Sequence, residues 1–435
     1  MSKLNRNQTN PITLEELAGD LALVAAKNGL DPQELSEANY FKLGGKFRSK
    51  ATWQRKGGFG KIRATLLPDE DKDLKSISSL GKTASYINKL ESAVGSKLNL
   101  QEKIEEVVKN LNIKVTKKSK SKKVRKGTDK VHVVAMLNDT HIGQIIDSEE
   151  IGGLNSFDFK EAGRRVAMFI KEVGTYKNYK RDQVETFHLA LNGDLAAGII
   201  HNLESKSQHL LIHQMNGLLH ILVNAIEYLR TEFGAINVYG IAGNHDRMIH
   251  KNGGKRANGE EFDSYANIAF YALSAIFKDA KDIKFSFPKT PYVFMDLPAG
   301  RAMVAHGHNV FSKALGNIGK SINVKGLTDA IRDFNAGEIA KGNKPIKLLL
   351  MGHVHNFGHF TSVDGVEVVI APSLSGIDAF AHNLTINSST AAQVVFESTP
   401  KFVLGDMRLI RLHEADKDES LDKIIPEYKK ELKHG

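Results

Sequence analysis

The segment VHVVAMLNDTH, residues 131–141, decides the fold of most of this chain. An apolar run broken only by His132 ends abruptly at a polar group that contains Asp139 and His141. A short valine-rich run of this length is typical of a strand that is buried on both faces, as in a parallel sheet. We therefore predict a strand over 131–138 with functional side chains at its carboxyl end.

The same arrangement recurs four times further along the chain. Strands are predicted over 184–192, 236–242, 301–305 and 346–351, and helices over 158–173, 206–233, 263–278 and 324–340. Four shorter strands follow, over 359–363, 366–371, 392–397 and 402–412. This alternation predicts a mixed α/β domain with central sheets over 131–414. Residues 415–435 are charged and are predicted to form a terminal helix or tail.

Polar clusters follow each of the five longer predicted strands. They are Asp139-Thr140-His141, Gly193-Asp194, Gly243-Asn244-His245-Asp246, His306-Gly307-His308 and Gly352-His353-Val354-His355. Each cluster alone is weak evidence, because Gly-Asp is a common turn pair and a single histidine often packs in a core. Since ligands collect beyond the carboxyl ends of strands in layered α/β sheets, the five clusters together predict one shared site.

The donor set of these clusters indicates a metal centre. Two aspartates, one asparagine and four histidines offer mixed oxygen and nitrogen ligands, which suit Mn²⁺, Fe or Zn²⁺ better than Ca²⁺ or Mg²⁺. Seven ligands are too many for one tetrahedral ion and fit two ions if a carboxylate bridges them. Two such ions can clamp a phosphoryl group and activate water for attack. His245 would remain as a proton donor to the leaving oxygen.

In this order the five motifs resemble those of the calcineurin-like metallophosphoesterase superfamily, over about residues 131–375. The resemblance implies a four-layer α/β/β/α sandwich with two mixed sheets between helices. It also implies two divalent ions, expected to be manganese with iron or zinc as alternatives, and a bridging role for Asp194. His245 would protonate the leaving group or hold the phosphate, with Asp246 orienting it. The implied ligands are Asp139, His141, Asp194 and His355 for one ion, and Asp194, Asn244, His306 and His353 for the other.

The motif details favour one branch of that superfamily. Gly193-Asp194-Leu195 and Gly243-Asn244-His245-Asp246 are more similar to the SbcD-type DNA exonucleases than to the Ser/Thr phosphatases, which have a glutamate where Asp246 stands. The 130 residues in front of the domain depart from the exonuclease layout. The overall layout resembles phosphoesterases encoded in tailed-phage genomes, including the run from Ala371 to Gly376.

Several further residues are candidates for substrate contact. His201 and Asn202 follow the Gly-Asp-Leu motif closely, and the basic loop with Lys251 and Arg256 follows His245. That loop could equally be an ordinary solvated loop. His308 is either a substrate contact or a structural residue, and His209 and His213 are interpreted as packing residues of a helix.

The front of the chain is strongly basic. Residues 1–130 carry 27 Lys and Arg against 15 Asp and Glu, whereas the remainder carries 33 against 35. Residues 1–113 are predicted to form a small helical domain, with a helix that begins near Leu14 and stops at Asn28-Gly29. Residues 114–130 are predicted to be a lysine-rich linker. Eight basic residues without an acidic one occupy 42–63. The predicted nucleic-acid contacts there are Lys46, Arg48, Lys50, Trp53, Arg55, Lys56, Lys61 and Arg63.

Basic side chains interleaved with aromatic ones suit phosphate contacts and base stacking. Trp53 could instead be the core of a small domain, and the basic front could be a solubilising tail. The leading hypothesis is a metal-dependent DNA nuclease that binds DNA through this region. The alternatives are a phosphodiesterase for small or cyclic nucleotides, and a DNA-binding accessory protein with a vestigial phosphoesterase domain.

Composition excludes several other classes of protein. The chain has 435 residues, of which 41% are hydrophobic and 25% charged, which predicts two or three ordinary globular domains. It contains no cysteine, so disulfides, thiolate zinc sites and cysteine nucleophiles are excluded. No long apolar run predicts a membrane span, and the polar start has no secretory pattern. We expect a cytoplasmic protein, with a homodimer as one possible assembly.

Overall fold

The computed structural model describes residues 14–28, 37–43, 131–179, 184–199, 209–248, 264–315, 322–378, 390–413 and 415–428. The chain divides into two units, residues 1–100 and 101–435. In the first unit, helix α1 (Leu14–Lys27) is followed by α2 (Glu37–Lys42). The predicted helix ending at Asn28 is confirmed, and Asn28 closes it by donating its side-chain amide to the carbonyl of Val24.

The apolar positions of α1 pack within this first unit. Leu21, Val24 and Ala25 are buried, and so is Tyr40 of α2, whose hydroxyl donates a hydrogen bond to the carboxylate of Asp20. The rest of the predicted helical domain beyond residue 43, the linker over 114–130 and the domain boundary at residue 113 lie outside the described residues. They stay predictions.

The described part of the second unit contains eleven strands and five α-helices. The strands are β1 (Val131–Leu137), β2 (Val184–Asn192), β3 (Ile236–Ile241), β4 (Ile283–Ser286), β5 (Tyr292–Leu297), β6 (Gly300–Ala305), β7 (Ile346–Met351), β8 (Gly358–Thr361), β9 (Glu367–Ile370), β10 (Ala392–Ser398) and β11 (Met407–Arg411). The helices are α3 (Phe159–Tyr179), α4 (Leu211–Phe233), α5 (Tyr265–Ile276), α6 (Ser312–Leu315) and α7 (Val324–Ala340).

The strands form two mixed sheets. The first has the order β11-β10-β1-β2-β3-β4, and the second has the order β5-β6-β7-β9-β8. Strands β1 to β4 run parallel to one another, and so do β6, β7 and β9, whereas the pairings of β10, β11, β5 and β8 are antiparallel. The exits of β1, β2 and β3 therefore lie together at one edge of the first sheet, and those of β6 and β7 lie together in the second.

Three buried apolar clusters hold these layers together. One joins the first sheet to α3, α4 and α5, a second lies between the two sheets, and a third joins the second sheet to α7. Strand β1 shows how a single run serves two clusters, because Val133 and Leu137 belong to the first and Val134 and Met136 to the second. The predicted mixed α/β class with two central sheets is confirmed.

The predicted strands and helices of this unit occur, and most lie close to their predicted bounds; α3 continues to Tyr179 instead of ending at 173, and α6 was not predicted. Strands β4 and β5 were not predicted either: β4 has only four residues with a lysine among them, whereas β5 is a six-residue, mostly apolar run that was overlooked. The strand predicted over 402–412 begins only at Met407. Residues 399–406 form the turn instead, in which Gly405 donates its amide to the carbonyl of Glu397.

The segment after β11 packs against α3 as far as it is described, rather than forming a terminal helix. Two short 3₁₀ turns, Ala415–Lys417 and Glu419–Lys423, bury Leu421 and Ile425. The carboxylate of Asp422 accepts two hydrogen bonds of 2.8 Å from the guanidinium of Arg164 on α3. Among the described helices, none is long and apolar enough to cross a membrane.

His188, in the middle of β2, is a buried titratable group that does not belong to the predicted ligands. Its side chain is 1% exposed, its Nε2 atom lies 2.9 Å from Nδ1 of His132, and its Nδ1 atom lies 3.3 Å from the hydroxyl of Tyr239. Burial, and after it the charge of His132, lowers the pKa of His188 to about 3. The folded chain therefore keeps this imidazole neutral at pH values where an exposed histidine is charged.

We predict that the variant His188→Gln has a flatter dependence of stability on pH than the wild type. Between pH 6.5 and 3 the unfolded wild-type chain binds a proton at this site that the folded chain does not, so its stability falls as the pH falls. From about pH 7 to about pH 5 the wild type should lose up to about 2 kcal/mol more than the variant. Urea unfolding followed by circular dichroism measures this, with exposed His413→Gln as control. Parallel curves for His188→Gln and wild type would contradict the prediction.

Candidate metal centre

The carboxyl ends of five strands bring the predicted side chains together. Asp139 follows β1 and Asp194 follows β2, and these strands are paired in parallel up to Leu137 and Leu191. From the second sheet, Nε2 of His306 lies 3.1 Å from a carboxylate oxygen of Asp194 and 3.9 Å from one of Asp139. The two sheets therefore present their polar strand exits to the same space.

The ligand atoms fall into two groups. Those of Asp139, His141, Asp194 and His355 all lie within 4.8 Å of one another, and the same holds for those of Asp194, His306 and His353. Asp194 belongs to both groups, which is the geometry that a bridging carboxylate requires. The first group consists of the four residues that the resemblance implied for one ion, and the second contains three of the four implied for the other.

Two further observations favour cations at these positions. The Nε2 atoms of His141 and His355 face each other at 3.2 Å, an approach that a cation or a proton between them stabilises. The Oδ1 atom of Asn244 is buried and has no hydrogen-bond partner among the described residues. Since a buried acceptor without a partner is costly, this oxygen fits the role of a ligand for the second group. The donor chemistry therefore fits two ions.

The backbone is in an unusual conformation at these residues. In the described parts of the chain, the non-glycine residues with positive φ are Asp139, His141, Asp194, His353 and His355, with φ between 44° and 70°. Each of them is a predicted ligand. Non-glycine residues in the left-handed region cost about 1–3 kcal/mol each and persist only where the surroundings hold them. The chain thus carries conformational strain at the positions that aim side chains into the cluster.

Hydrogen bonds from distant loops hold Asp139 in this conformation. Its amide donates to the carbonyl of Gly193, and its own carbonyl accepts from the hydroxyl of Ser373 at 2.9 Å and the amide of Leu374 at 3.1 Å. Its carboxylate accepts the amide of His353 at 3.0 Å. The run from Ala371 to Gly376, noted in the sequence, therefore helps to hold the backbone of Asp139 in place.

The electrostatics of the cluster show a demand for positive charge. Burial raises the pKa of Asp139 and of Asp194, but the charge of His306 and the contacts with the neighbouring histidines together outweigh it. The pKa of Asp139 is lowered to about 2 and that of Asp194 lies well below its usual range. Burial opposes charge on His306 too, yet the two aspartates raise its pKa to about 10. A protonated His306 compensates the two carboxylates, a role that bound cations would take over with release of its proton.

Two other histidines are held neutral. Burial, and after it the charge of His245, lowers the pKa of His141 to about 3. Burial, and after it the charge of His306, lowers the pKa of His353 to about 4. A neutral imidazole keeps the lone pair that a metal ligand needs.

His245 is oriented by backbone rather than by Asp246. Its Nδ1 atom lies 3.0 Å from the carbonyl oxygen of Ala197, so Nδ1 donates and Nε2 is the nitrogen that can exchange a proton with a bound molecule. Its backbone amide donates to Asp194 at 2.7 Å, and its ring lies edge-on to His141.

The expectation that Asp246 orients His245 is therefore corrected. The fully buried Asp246 carboxylate accepts the backbone amides of Gly243 at 2.7 Å, Leu195 at 3.2 Å and Ala196 at 3.4 Å. It joins the loops after β2 and β3, because a buried carboxylate is satisfied best by several backbone donors. Burial, and after it the charge of Asp194, raises its pKa to about 7.

The remaining sequence predictions have different outcomes. The ring of His308 lies 5.4 Å from that of His306, beside the second group, and stays a candidate substrate contact. His209 stacks on Phe159 with centroids 4.5 Å apart, so it is a packing residue, but it precedes α4 and does not lie in a helix as expected. The candidate contacts outside the described residues are His201, Asn202, Lys251, Arg256, Lys46, Arg48, Lys50, Trp53, Arg55, Lys56, Lys61 and Arg63.

Three buried polar residues that support the cluster were missed. The side-chain amide of Asn138 donates to the carboxylate of Asp139 at 2.6 Å, and that of Gln393 on β10 bonds both the amide and the carbonyl of Asn138. Arg165 of α3 donates to the carbonyl oxygens of Leu374 and Ser375. The sequence contains one signal for these residues, the polar Gln393 within the apolar run of β10. Its position in the sequence does not show that its partner is Asn138.

Comparisons with known proteins add little to this geometry. No protein-family model and no curated protein matches the chain. Solved structures that align with it include the sulfate thiohydrolase SoxB of Thermus thermophilus, at 9% identity over 67% of this chain and 59% of that chain with a TM-score of 0.28. Others are a dimetal phosphatase from Danio rerio (9% identity, 65% and 100% covered, TM-score 0.30) and a metallophosphoesterase from Sphaerobacter thermophilus (11%, 68% and 98%, 0.23).

This chain thus spans less than two thirds of the length of SoxB. At these identities and TM-scores the function of the chain has to be inferred from its own residues.

The turn that carries Ala197 leaves no room for a side chain at Gly198. This glycine has φ +70°, and a Cβ atom there would lie 1.8 Å from the carbonyl oxygen of His245. Gly152 has a similar φ of +62°, but nothing lies within 4 Å of its Cβ position. The two glycines therefore share a backbone conformation and differ in their surroundings.

We predict that Gly152→Ala costs about 1 kcal/mol of stability, because alanine is disfavoured in the left-handed region. Gly198→Ala should cost at least about 2 kcal/mol more, because overlap with backbone cannot be relieved by rotating a side chain. Thermal and urea unfolding of the two variants beside wild type measures the difference. Equal losses of stability in the two variants would show that the close approach of Gly198 to the carbonyl oxygen of His245 does not exclude a side chain.

Proposed function

We propose that this chain is a phosphodiesterase that depends on two divalent cations and that its substrate is DNA. The observation that carries the proposal is the coincidence of strain and chemistry at five residues. Asp139, His141, Asp194, His353 and His355 are the non-glycine residues with left-handed backbone in the described chain, and their ligand atoms lie in two groups joined by Asp194. Strain of this kind is concentrated at functional sites.

In this proposal one cation is held by Asp139, His141, Asp194 and His355. The other is held by Asp194, Asn244, His306 and His353. The mixed oxygen and nitrogen donors favour manganese, with iron or zinc as alternatives. When bound, two cations at such sites neutralise the charge of a phosphoryl group and bring it together with an attacking water.

The chain's own residues supply the rest of the chemistry. His245, as the imidazolium, donates the proton on Nε2 to the leaving oxygen of the phosphodiester and keeps its Nδ1 proton, which is engaged by the carbonyl of Ala197. His308, beside His306 and His353, contacts a phosphate oxygen. Asp246 holds the two loops in register and takes no direct part in the reaction.

The proposed fold is the four-layer sandwich of the metallophosphoesterases. The three apolar clusters support the layer order helices, first sheet, second sheet, helices. The five motifs in their order support membership of that superfamily and the similarity to SbcD-type and phage-encoded enzymes.

The charge distribution supports DNA as the substrate. The first 130 residues carry a net charge of +12 and the remainder carries −2. The part of the sequence that would attract a polyanion therefore precedes the domain that holds the metal centre. The basic residues over 42–63 and the lysine-rich 114–130 are the proposed contacts. A phosphodiesterase for small or cyclic nucleotides is the second candidate, favoured by the slightly acidic domain but needing neither basic stretch.

The test of the proposed function is cleavage of end-labelled single- and double-stranded DNA with Mn²⁺ at low salt. We expect the wild type to degrade DNA. Asp194→Asn should lose activity at least about 100-fold, because it weakens both ion sites, and His245→Ala should lose about 100-fold by removing the proton donor. Metal analysis is the control: His245→Ala should retain two ions per chain and Asp194→Asn should not.

Two results would contradict this proposal in different ways. Turnover of bis-p-nitrophenyl phosphate without any DNA cleavage would favour the small-nucleotide phosphodiesterase. Absence of both activities in a chain that binds two ions would contradict the hydrolytic function itself.

We also predict that Arg55→Gln combined with Lys56→Gln weakens DNA binding and lowers the slope of log affinity against log salt by about 2, if each residue contacts one phosphate. Turnover of bis-p-nitrophenyl phosphate should not change. Fluorescence anisotropy with labelled DNA measures the slope. The matched control changes the exposed Lys281 and Lys284 to glutamine; an equal loss in both pairs would show a general charge effect rather than a DNA contact in 42–63.

A further inference from the structure

Gln214 is a fully buried amide near the start of α4 whose side chain is occupied entirely by backbone groups. Its Oε1 atom accepts the amide of Gly198 at 2.7 Å. Its Nε2 atom donates to the carbonyl oxygens of His209 at 2.7 Å and Gly198 at 3.3 Å. One side chain thus binds both ends of the segment between Gly198 and His209.

Gln214 is also locked in place from the other side. A Cβ atom on Gly143, two residues after His141, would lie 2.4 Å from Cγ of Gln214. The carbonyl of Gly143 accepts the amide of His209 at 2.8 Å. The glutamine therefore lies between the loop that follows β1 and the loop that follows β2, in a space with no room for it to shift.

The turn that Gln214 binds is the one that orients His245. Gly198 lies directly against the carbonyl of His245, and the preceding residue, Ala197, accepts the hydrogen bond from Nδ1 of the His245 ring. The amide of Ala197 in turn donates to the carbonyl of Ile142 at 3.1 Å. Gln214 is thus two hydrogen bonds and one peptide unit away from the imidazole.

We propose that Gln214 is a positioning residue for His245. By fixing both polar groups of Gly198 it holds the carbonyl of Ala197 at the distance where it keeps the proton on Nδ1 of His245. Nε2 is thereby the nitrogen that gains a proton to form the imidazolium and then releases it to the leaving oxygen, which returns the ring to the Nδ1–H form. The tautomer of His245 rests on contacts alone, whereas the catalytic consequence rests on the proposed function.

The first test reads the tautomer directly and needs no activity. The full-length, metal-free protein is labelled with ¹⁵N-histidine and its imidazole nitrogens are recorded by NMR at about pH 8, where free imidazoles are neutral, with the His245 signals identified by their loss in His245→Asn. We expect wild type to carry the His245 proton on Nδ1. In Gln214→Met, which keeps the length of the side chain but not its hydrogen bonds, the Nε2-protonated tautomer should become the major form.

A matched control separates positioning from loss of stability. Asn335 of α7 bonds the amide and the carbonyl of Ile346 at 2.8 and 3.0 Å, at the opposite end of β7 from His353. Asn335→Leu removes the same kind of clamp and should leave the His245 signals as in wild type. If Gln214→Met does not fold, Gln214→Leu, which also removes all three hydrogen bonds, provides the same comparison.

The second test uses the leaving group. For a dinucleotide, whose alkoxide needs a proton, kcat of Gln214→Met should fall about tenfold, whereas for bis-p-nitrophenyl phosphate, whose leaving anion is stable, it should change less than about twofold. In the His245→Ala background the same substitution should have no further effect on the dinucleotide.

The outcomes separate the two proposals. An unchanged His245 tautomer in Gln214→Met overturns the positioning role whatever the activity is. Equal losses on both substrates, or an additive loss in the His245→Ala background, also overturn it and indicate a general disturbance of the site. If the wild type hydrolyses neither substrate, the proposed function fails and the NMR comparison alone decides the role of Gln214.

Discussion

Two carboxylates, Asp139 and Asp194, are buried side by side at the exits of neighbouring strands, and the rest of the site is arranged around their charge. Among the described residues, the side chains that form ion pairs with them are histidines, with His306 nearest to Asp194. Such a cluster is stable only if positive charge enters it, because each carboxylate loses its hydration on burial. A proton on His306 meets this demand without metal, and two cations sharing Asp194 would meet it more fully.

The scaffold holds this arrangement through buried amides and a guanidinium rather than through the ligands themselves. Gln393 bonds the backbone of Asn138, and Asn138 bonds the carboxylate of Asp139. Arg165 donates to the carbonyl of Ser375, in the same segment as Ser373, whose hydroxyl bonds the carbonyl of Asp139. Gln214 bonds the backbone of Gly198 in the same way, on the side of the site where His245 lies. Asn138, Gln393 and Arg165 all bond backbone carbonyls within residues 371–375, and Gln214 bonds the backbone after β2. Because these bonds hold the loops in place, the left-handed conformations and the strain at the ligands are retained.

Much of the fold and of the site could be predicted from the chain alone. The strand positions follow from short apolar runs and the cluster follows from polar residues at their exits, so Asp139, Asp194 and His353 could be grouped by their places in the sequence. Strand β4 could not be predicted, because it has only four residues with a lysine among them and its pairing with β3 outweighs this weak local pattern. Strand β5 has six mostly apolar residues, a pattern typical of a strand, and was overlooked. The orientation of His245 could not be predicted either: Asp246 is adjacent in sequence, yet the carbonyl of Ala197 holds the ring.

The sequence by itself therefore determined the class of the fold, the identity of the donor atoms and the concentration of positive charge in the first 130 residues, since these depend on local periodicity and on residue chemistry. The tertiary structure decided which ligands share a space, that Asp194 belongs to both groups, and that Gln214 and Gln393 support the site. These properties depend on hydrogen bonds between residues up to 255 positions apart, whose partners are set only when the two sheets pack and bring their strand exits together.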